Sequence, residues 1–541
     1  MFIKILKEFK VKRGYKLLFL LILCLLLTGF LGIIPIKFIE KIVDYSLTLD
    51  EDNVSLIYIY GGLYIGFQIM SPLFRGLSKY ISNYLQYSYG ISIQNKLYNK
   101  LLKVDLLQLN SKNSIELTNT LIEDVEYITN KLFLPITKLL LALITFVIGV
   151  YYMVSINLTL TLIILPLGLI TSISSRIIQK KSIKNIRTKR QISNKLWKSF
   201  AEGIRGVMTL RIYDKEQKYM NQIKTNGSEM LNINLKQSKF ESLNLFFVSS
   251  LFMLTIGVIL VVSGLFVVQG LITVGSMTAI LMYNHMITDP FMDYLDVQQA
   301  YVKLNVSIKR ISELFMLKDD MFDSMERLQV DNILVENVCF SYDQICVLKD
   351  INIEISKGEK IAIIGETGSG KTTLVNLLSG LYHPNSGQVL YCYNGNCVQG
   401  KPKLAYMQQE NYLFDRTIND NIKIVNPDLS EKEIKNLIDL CRLTSVNQQL
   451  GENTIGENGS KLSGGERKRL SLAQTLANTE ASIYIFDELT SSIDQEMASE
   501  LISRVVNRLD GKICIFIEHN LQYLYLMNYT LQVKNQKIVK S

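Results

Sequence analysis

Ile361-Ala-Ile-Ile-Gly365-Glu366-Thr367-Gly368-Ser369-Gly370-Lys371-Thr372-Thr373 decides how this chain is read. A short apolar run ends in Gly365, and Gly370-Lys371-Thr372 follow at the G-x-x-x-x-G-K-[ST] spacing. Glycines at these points let the backbone wrap a phosphate and aim its N–H groups inward, at the N-terminus of a helix expected to start near Lys371. Lys371 is placed to reach the β- and γ-phosphates of a nucleotide, and the Thr372 hydroxyl to ligate Mg²⁺.

Outward from this loop, the chain from about Leu328 alternates short β runs, turns and helices, an α/β pattern. Val335–Tyr342 reads as a strand ending in an aromatic; Tyr342 either stacks on a flat purine ring or packs at a sheet edge. Gln409 lies in a loop after another apolar strand, and Leu462-Ser463-Gly464-Gly465-Glu466 follows. Ser482–Glu488 is an apolar strand that delivers two adjacent carboxylates at its end. Strand alternation separates their tasks, so that Asp487 holds the Mg²⁺ shell while Glu488 polarises the attacking water as a general base. Ile513–His519 is a further buried strand, and its terminal His519 is placed as a sensor of the γ-phosphate.

Upstream the composition changes. Apolar residues make up 48% of the 541, and before about residue 290 they crowd into long uncharged runs. Such runs are expected to span a membrane. Six fit: Leu17–Ile36, Leu56–Leu73, Leu132–Val154, Leu158–Ile173, Phe246–Val268 and Leu271–Phe291. The first follows Lys4, Lys7, Lys10, Lys12, Arg13 and Lys16; its length and the lack of a small-residue cleavage site read as a retained span, not a signal peptide. No folded domain, such as a leader-cleaving protease, is expected ahead of it.

The loops after spans one, three and five are short and poor in Lys and Arg, whereas 75–131 and 176–245 are long and basic. Positive-inside logic puts both long segments and both termini in the cytoplasm, as helical levers that extend the spans. The net charge of +9 is read the same way, as cytoplasmic loops and not a nucleic-acid surface. Lys138, His285 and Asp289 either line a substrate path or snorkel, pair, or sit outside the hydrocarbon. Pro35, Pro135, Pro166 and Pro290 read as helix kinks, and Trp197 as packing. The seven scattered cysteines, including the close pair Cys392 and Cys397, read as reduced or buried thiols.

The order Tyr342, Gly365–Thr373, Gln409, Leu462–Glu466, Asp487-Glu488, Ser491-Ser-Ile-Asp494 and His519 resembles the ATP-binding cassette (ABC) family, most specifically at Leu462–Glu466. With six fused N-terminal spans the chain resembles an exporter-type half-transporter. The fold class that follows is multi-domain: an all-α six-helix transmembrane domain over 1–320, then an α/β P-loop ATPase cassette over 328–541.

The resemblance implies that two cassettes pack head to tail. ATP then lies between Gly365–Thr373 of one and Ser463-Gly464-Gly465 of the other, with Thr372 and Gln409 completing the Mg²⁺ site. It also implies hydrolysis by Glu488 with His519, alternating access driven by ATP, and coupling helices near Val104–Lys112 and Thr209–Glu216. Ile455–Gly459 resembles the loop that links the coupling helices to the signature. Departures from the family pattern are Glu466 for Gln, Ser492-Ile493 for Ala-Leu, and Asn520 for Arg; none removes a catalytic type.

The expected partners are a second half-transporter (a homodimer is favoured over a heterodimer), membrane lipid and a cargo, in the bacterial cytoplasmic membrane. An ATP-gated channel or regulatory membrane protein is the alternative on this scaffold. The spans exclude a soluble nucleic-acid ATPase, and fusion of spans to cassette fits an importer poorly. Peptide, lipid and hydrophobic drug all remain open as cargo.

Overall fold

The computed structural model describes residues 14–47, 51–323, 325–518 and 521–541; His519 and Asn520 lie outside the described residues. The chain forms two compact units, 1–102 with 113–316, and 103–112 with 317–541. Contacts thus sort 103–112 with the second unit and not with its neighbours in sequence.

The first unit is built on the long helices Gly14–Ser46, Glu51–Leu101, Val125–Ile156, Leu158–Arg205, Glu216–Val268 and Val274–Phe315. Five of the expected spans fall wholly inside one helix each. The sixth starts at Val274 instead of Leu271, because the Thr273 side chain accepts from Ser276 N and caps the helix there. Among the described residues, four of the helices are long and apolar enough to cross a membrane. In the fourth, the apolar stretch Leu158–Leu167 leads into a Lys/Arg-rich extension that dilutes it.

Ile33, Met153, Ile164, Ile259, Ala279 and Tyr283 form the bundle's core. Tyr283 stacks on Tyr152 with ring centres 5.8 Å apart. Large apolar side chains such as Phe19, Ile65, Leu73, Val147 and Val268 face outward. That arrangement is costly in water and natural against hydrocarbon. Buried charge is satisfied locally: Asp124 accepts from Ser307 Oγ at 2.6 Å and from Arg310 at 3.2 Å. Lys138 is exposed, the His285 ring lies 5.0 Å from that of Phe252, and the Asp289 side chain lies outside what is described. Pro35, Pro135 and Pro166 all lie inside helices.

The second unit has two sheets. One is antiparallel, in the order β2 (Ile345–Ser356), β1 (Asn332–Tyr342), β4 (Ser386–Tyr393), β5 (Asn396–Val398). The other has the order β10 (Lys537–Lys540), β9 (Tyr529–Lys534), β3 (Lys360–Ile364), β8 (Ile513–Ile517), β7 (Ile483–Asp487), β6 (Leu404–Met407). Apart from the β9–β10 hairpin its pairings are parallel. Continuous apolar strands suit that position, since parallel strands are covered on both faces; β7 and β8 are buried throughout.

Two features of this unit follow from tertiary contacts. In 103–112, Asp105 caps the short helix Leu106–Asn110 by accepting from Leu107 N and Gln108 N. Leu107 then packs against the core that includes Phe340, Leu374 and Ile483. Asp320 N donates to Lys103 O at 2.8 Å, and Asp105 N donates to Lys318 O at 3.1 Å. Burial pushes the Asp320 carboxyl up, but hydrogen bonds from Lys401 and Phe322 N, with the charges of Lys401 and His383, hold it below its ordinary value. The second short helix falls at Val207–Ile212, in the first unit.

The other feature corrects the cysteine reading. Cys392 and Cys397 are paired across β4–β5, and their sulfurs are bonded at 1.99 Å. An Asn394-Gly395 turn with both residues at positive φ closes this hairpin and sets the two side chains opposite each other.

Candidate functional site: a nucleotide cradle at the ends of parallel strands

β3 delivers the chain to Gly365, and the loop returns into a helix at Lys371. Gly365 has φ 152°, and a Cβ there would stand 2.6 Å from Val533 O and 2.8 Å from Ser369 Oγ. Gly370 has φ 105° and would meet Val347 in the same way. Both positions therefore require glycine. Lys371 is only 7% exposed, and its ammonium donates to Gly365 O at 2.8 Å and Glu366 O at 2.9 Å. Burial lowers its pKa, while the charges of Glu488 and Asp487 oppose that shift.

β7 carries Asp487 and Glu488 to the same end of the sheet. Asp487 is buried and pairs in register with Ile517. Glu488 is held at φ 52°, a strained setting for a glutamate, with its N–H donating to Ile517 O at 2.9 Å. Gln409 Nε2 donates to Glu488 Oε2 at 3.0 Å. Tyr342 Oη lies 3.2 Å from Thr373 Oγ1, with its ring edge-on to Phe340 and Tyr382 and 40% exposed. Thr372 and Gln409 are exposed beside these groups.

Ser463, Gly464 and Gly465 begin a separate helix, Gly464–Ala477. Among the described residues they share no hydrogen bond with the phosphate loop. Ser463 N donates to Glu466 Oε2 at 2.7 Å and Glu466 N donates to Ser463 Oγ at 3.3 Å, a closed capping box. The glutamate that departs from the family pattern thus fixes the signature at a helix N-terminus. A Cβ at Gly465 would lie 2.9 Å from Ser492 O, so the helix start sits directly on the Ser491–Asp494 turn.

The residues fit a bound nucleotide. The loop forms a cradle that a Cβ would fill, and Ser369 Oγ is buried there without a hydrogen-bond partner. Hydroxyl, amide and carboxylate oxygens from Thr372, Gln409 and Asp487 are the hard donor set that Mg²⁺ prefers.

Two side chains missed from sequence belong here. Lys468 reaches the backbone beneath Gln409 and Glu488; its spacing four residues after Gly464 was the available signal. Glu518, 5% exposed, accepts from Thr490 Oγ1 at 2.7 Å and Thr490 N at 3.3 Å. Burial raises its pKa and the charge of Glu488 adds to this, against hydrogen bonds from Thr490 and Leu489. A folded-state pKa above the unfolded one gives stability that is full below the unfolded value and is lost as pH rises through the folded value. As pH rises above the ordinary carboxylate range, the wild type should therefore lose stability that Glu518→Gln retains. Thermal unfolding of the two full-length proteins at several pH values checks this, and parallel pH slopes would count against it.

The model of the ABC transporter transmembrane region matches residues 18–291, and the ABC transporter model matches 348–491. The chain is 26% identical to the ABC transporter ATP-binding protein exp8 of Streptococcus pneumoniae serotype 4, over 98% of this chain and 92% of that protein. It is 27% identical to an ATP-dependent lipid A-core flippase of Syntrophus aciditrophicus, over 79% and 73%. It is also 27% identical to the lactococcin-G-processing and transport ATP-binding protein LagD of Lactococcus lactis, over 60% and 48%. A solved structure of a bacterial Atm1-family ABC exporter with ATP bound superposes with TM-score 0.83, covering 99% of this chain and 94% of that one at 18% identity.

Fold and site together define a multi-pass membrane protein with a fused ATP-hydrolysing domain. The chain belongs to the ABC transporter family, as an exporter-type half-transporter whose cassette couples ATP hydrolysis to transport.

Proposed function

We propose that this chain forms a dimer in the cytoplasmic membrane and exports a peptide, lipid or hydrophobic drug, with both termini in the cytoplasm. The observation that carries the reading is the hydrogen bond of Gln409 to Glu488 beside Asp487 and the Lys371 loop, in a chain that also supplies the apolar helices. A hydrolytic site so assembled has the parts needed to turn over ATP.

In this reading Gly365–Thr373 hold the triphosphate, Tyr342 stacks on the base, and Ser463-Gly464-Gly465 of a second copy close over the γ-phosphate. Thr372, Gln409 and Asp487 would hold Mg²⁺, which would supply positive charge against that developing on the phosphoryl oxygens. Glu488 orients and deprotonates water, and His519 contacts the γ-phosphate. The separation of the signature from the phosphate loop within one chain supports the two-copy arrangement, and an intact set of motifs favours a homodimer.

Peptide and lipid lead the cargo list because proteins similar to this chain are named for lipid A-core and for lactococcin G. Inside-out vesicles carrying the protein, offered a labelled lipid, an apolar peptide and a cationic dye, test the reading. ATP-dependent accumulation of one of them, abolished by Glu488→Gln, is expected. ATP turnover with a freely conducting pore and no accumulation would overturn export.

A further inference from the structure

Lys468 lies on the helix Gly464–Ala477, half-buried, and its ammonium reaches three main-chain carbonyls. They are Gln409 O at 2.7 Å, Glu488 O at 3.3 Å and Asp487 O at 3.5 Å. These oxygens belong to two segments far apart in sequence, the loop after β6 and the end of β7. An ammonium has three donors, and here they are directed at three carbonyls, the first two at closer range. Glu488 Oε2 in turn accepts from Gln409 Nε2.

From this geometry we propose that Lys468 is a positioning residue for ATP hydrolysis: it fastens the Gln409 loop to the strand end that carries Asp487 and Glu488. The proposal rests on the reading of Gln409 and Glu488 given above. Among the described contacts, the side chains of those two residues meet through one hydrogen bond, with the glutamine exposed on its loop. Lys468 anchors the backbone beneath both of them. Burial pulls the ammonium's pKa down, and the charges of Glu488, Asp487, Glu518 and Glu410 counter part of that shift.

Severing the brace lets the loop and the strand end move independently, and misplacement of reacting groups by about 1 Å costs up to about a hundredfold in rate. Nucleotide binding depends on the Lys371 loop, which Lys468 does not touch among the described contacts. The effect should therefore fall on kcat and not on KM.

The test uses the full-length protein in lipid, with Lys468→Met (stem kept, donors lost), Lys468→Arg and, as a control, Glu488→Gln. The readouts are kcat and KM for ATP, the free Mg²⁺ concentration at half-maximal rate, and affinity for a fluorescent ATP analogue without turnover. For Lys468→Met, kcat should fall about tenfold or more, within the range that misplacement produces. KM and analogue affinity should stay close to wild type, and half-saturating Mg²⁺ should rise. Lys468→Arg, which keeps a cation with several donors, should recover much of the rate.

Wild-type kcat and Mg²⁺ dependence in Lys468→Met, with Glu488→Gln inactive, would overturn the proposal alone. A Glu488→Gln variant that turns over normally would overturn the underlying site reading instead. Should Lys468→Met fail to fold, Lys468→Ala, which leaves room for water at the carbonyls, carries the same expectation and the same refutation.

Discussion

Glu488→Gln should abolish steady ATP turnover while leaving ATP binding intact. The exchange is isosteric, and the amide oxygen can still accept from Gln409 Nε2, which now stands 3.0 Å from the carboxylate. What disappears is basicity. A positioned general base contributes about 10²–10⁴ in rate, so phosphate release should drop by at least about a hundredfold. The backbone at φ 52° is unaffected by the change, and its strain is already met by the hydrogen bond to Ile517 and by Ser491 Oγ donating to Glu488 O at 3.0 Å. Folding should survive. Release of inorganic phosphate by the protein in lipid, beside binding of a fluorescent ATP analogue, separates the two effects. Turnover at the wild-type rate would remove Glu488 from its assigned role, whereas equal loss of binding and turnover would point to damage elsewhere.

Lys371→Met should do the opposite, removing ATP binding itself. The ammonium is satisfied by two carbonyls of its own loop, and that contact shapes the loop around a cation before any phosphate arrives. Truncating one partner of a buried, hydrogen-bonded charge pair costs about 2–5 kcal/mol, so affinity should weaken on the order of a hundredfold or more. Stability without nucleotide should change little. Burial already disfavours the charged lysine, which offsets the two hydrogen bonds lost. The distinguishing measurement is the rise in unfolding temperature with added ATP, since a ligand stabilises only the state that binds it. Wild type should show that rise and Lys371→Met should not. A full ATP-dependent rise in the variant would show that the loop holds the triphosphate without the lysine.

Both sites were legible because their signals are local. A phosphate loop needs glycines at fixed offsets, and a candidate catalytic carboxylate needs a buried strand to end beside it. Gly365, Lys371, Asp487 and Glu488 express those needs within a few residues of a strand. The long helices were legible for the same reason, as uncharged runs, although the second expected span covers only part of Glu51–Leu101. Beyond Leu73 the amphipathic sequence holds its helix through packing, and Leu85, Tyr89 and Leu97 are buried there.

What escaped depends on strand register or on partners distant in sequence. Cys392 meets Cys397 only once the register of β4 with β5 is set. Lys468 is one cation among many until a loop and a strand end converge on it. Leu107 has no local mark of belonging to the cassette; its seat exists only after the strands around Phe340 and Ile483 have assembled.

That last contact has a practical side. The covalent chain passes between the two units at 102–103, 112–113 and 316–317, so they are stitched together by three strands of backbone, not one. A fragment started at Leu317 for separate expression would lack Leu107 on its apolar seat and the Lys103 carbonyl that receives Asp320 N. Such a fragment would carry an open apolar patch and an unpaired amide from the outset. Grafting 103–112 back through a short linker is the natural repair, and its gain in solubility would measure how much of the cassette is contributed from outside it.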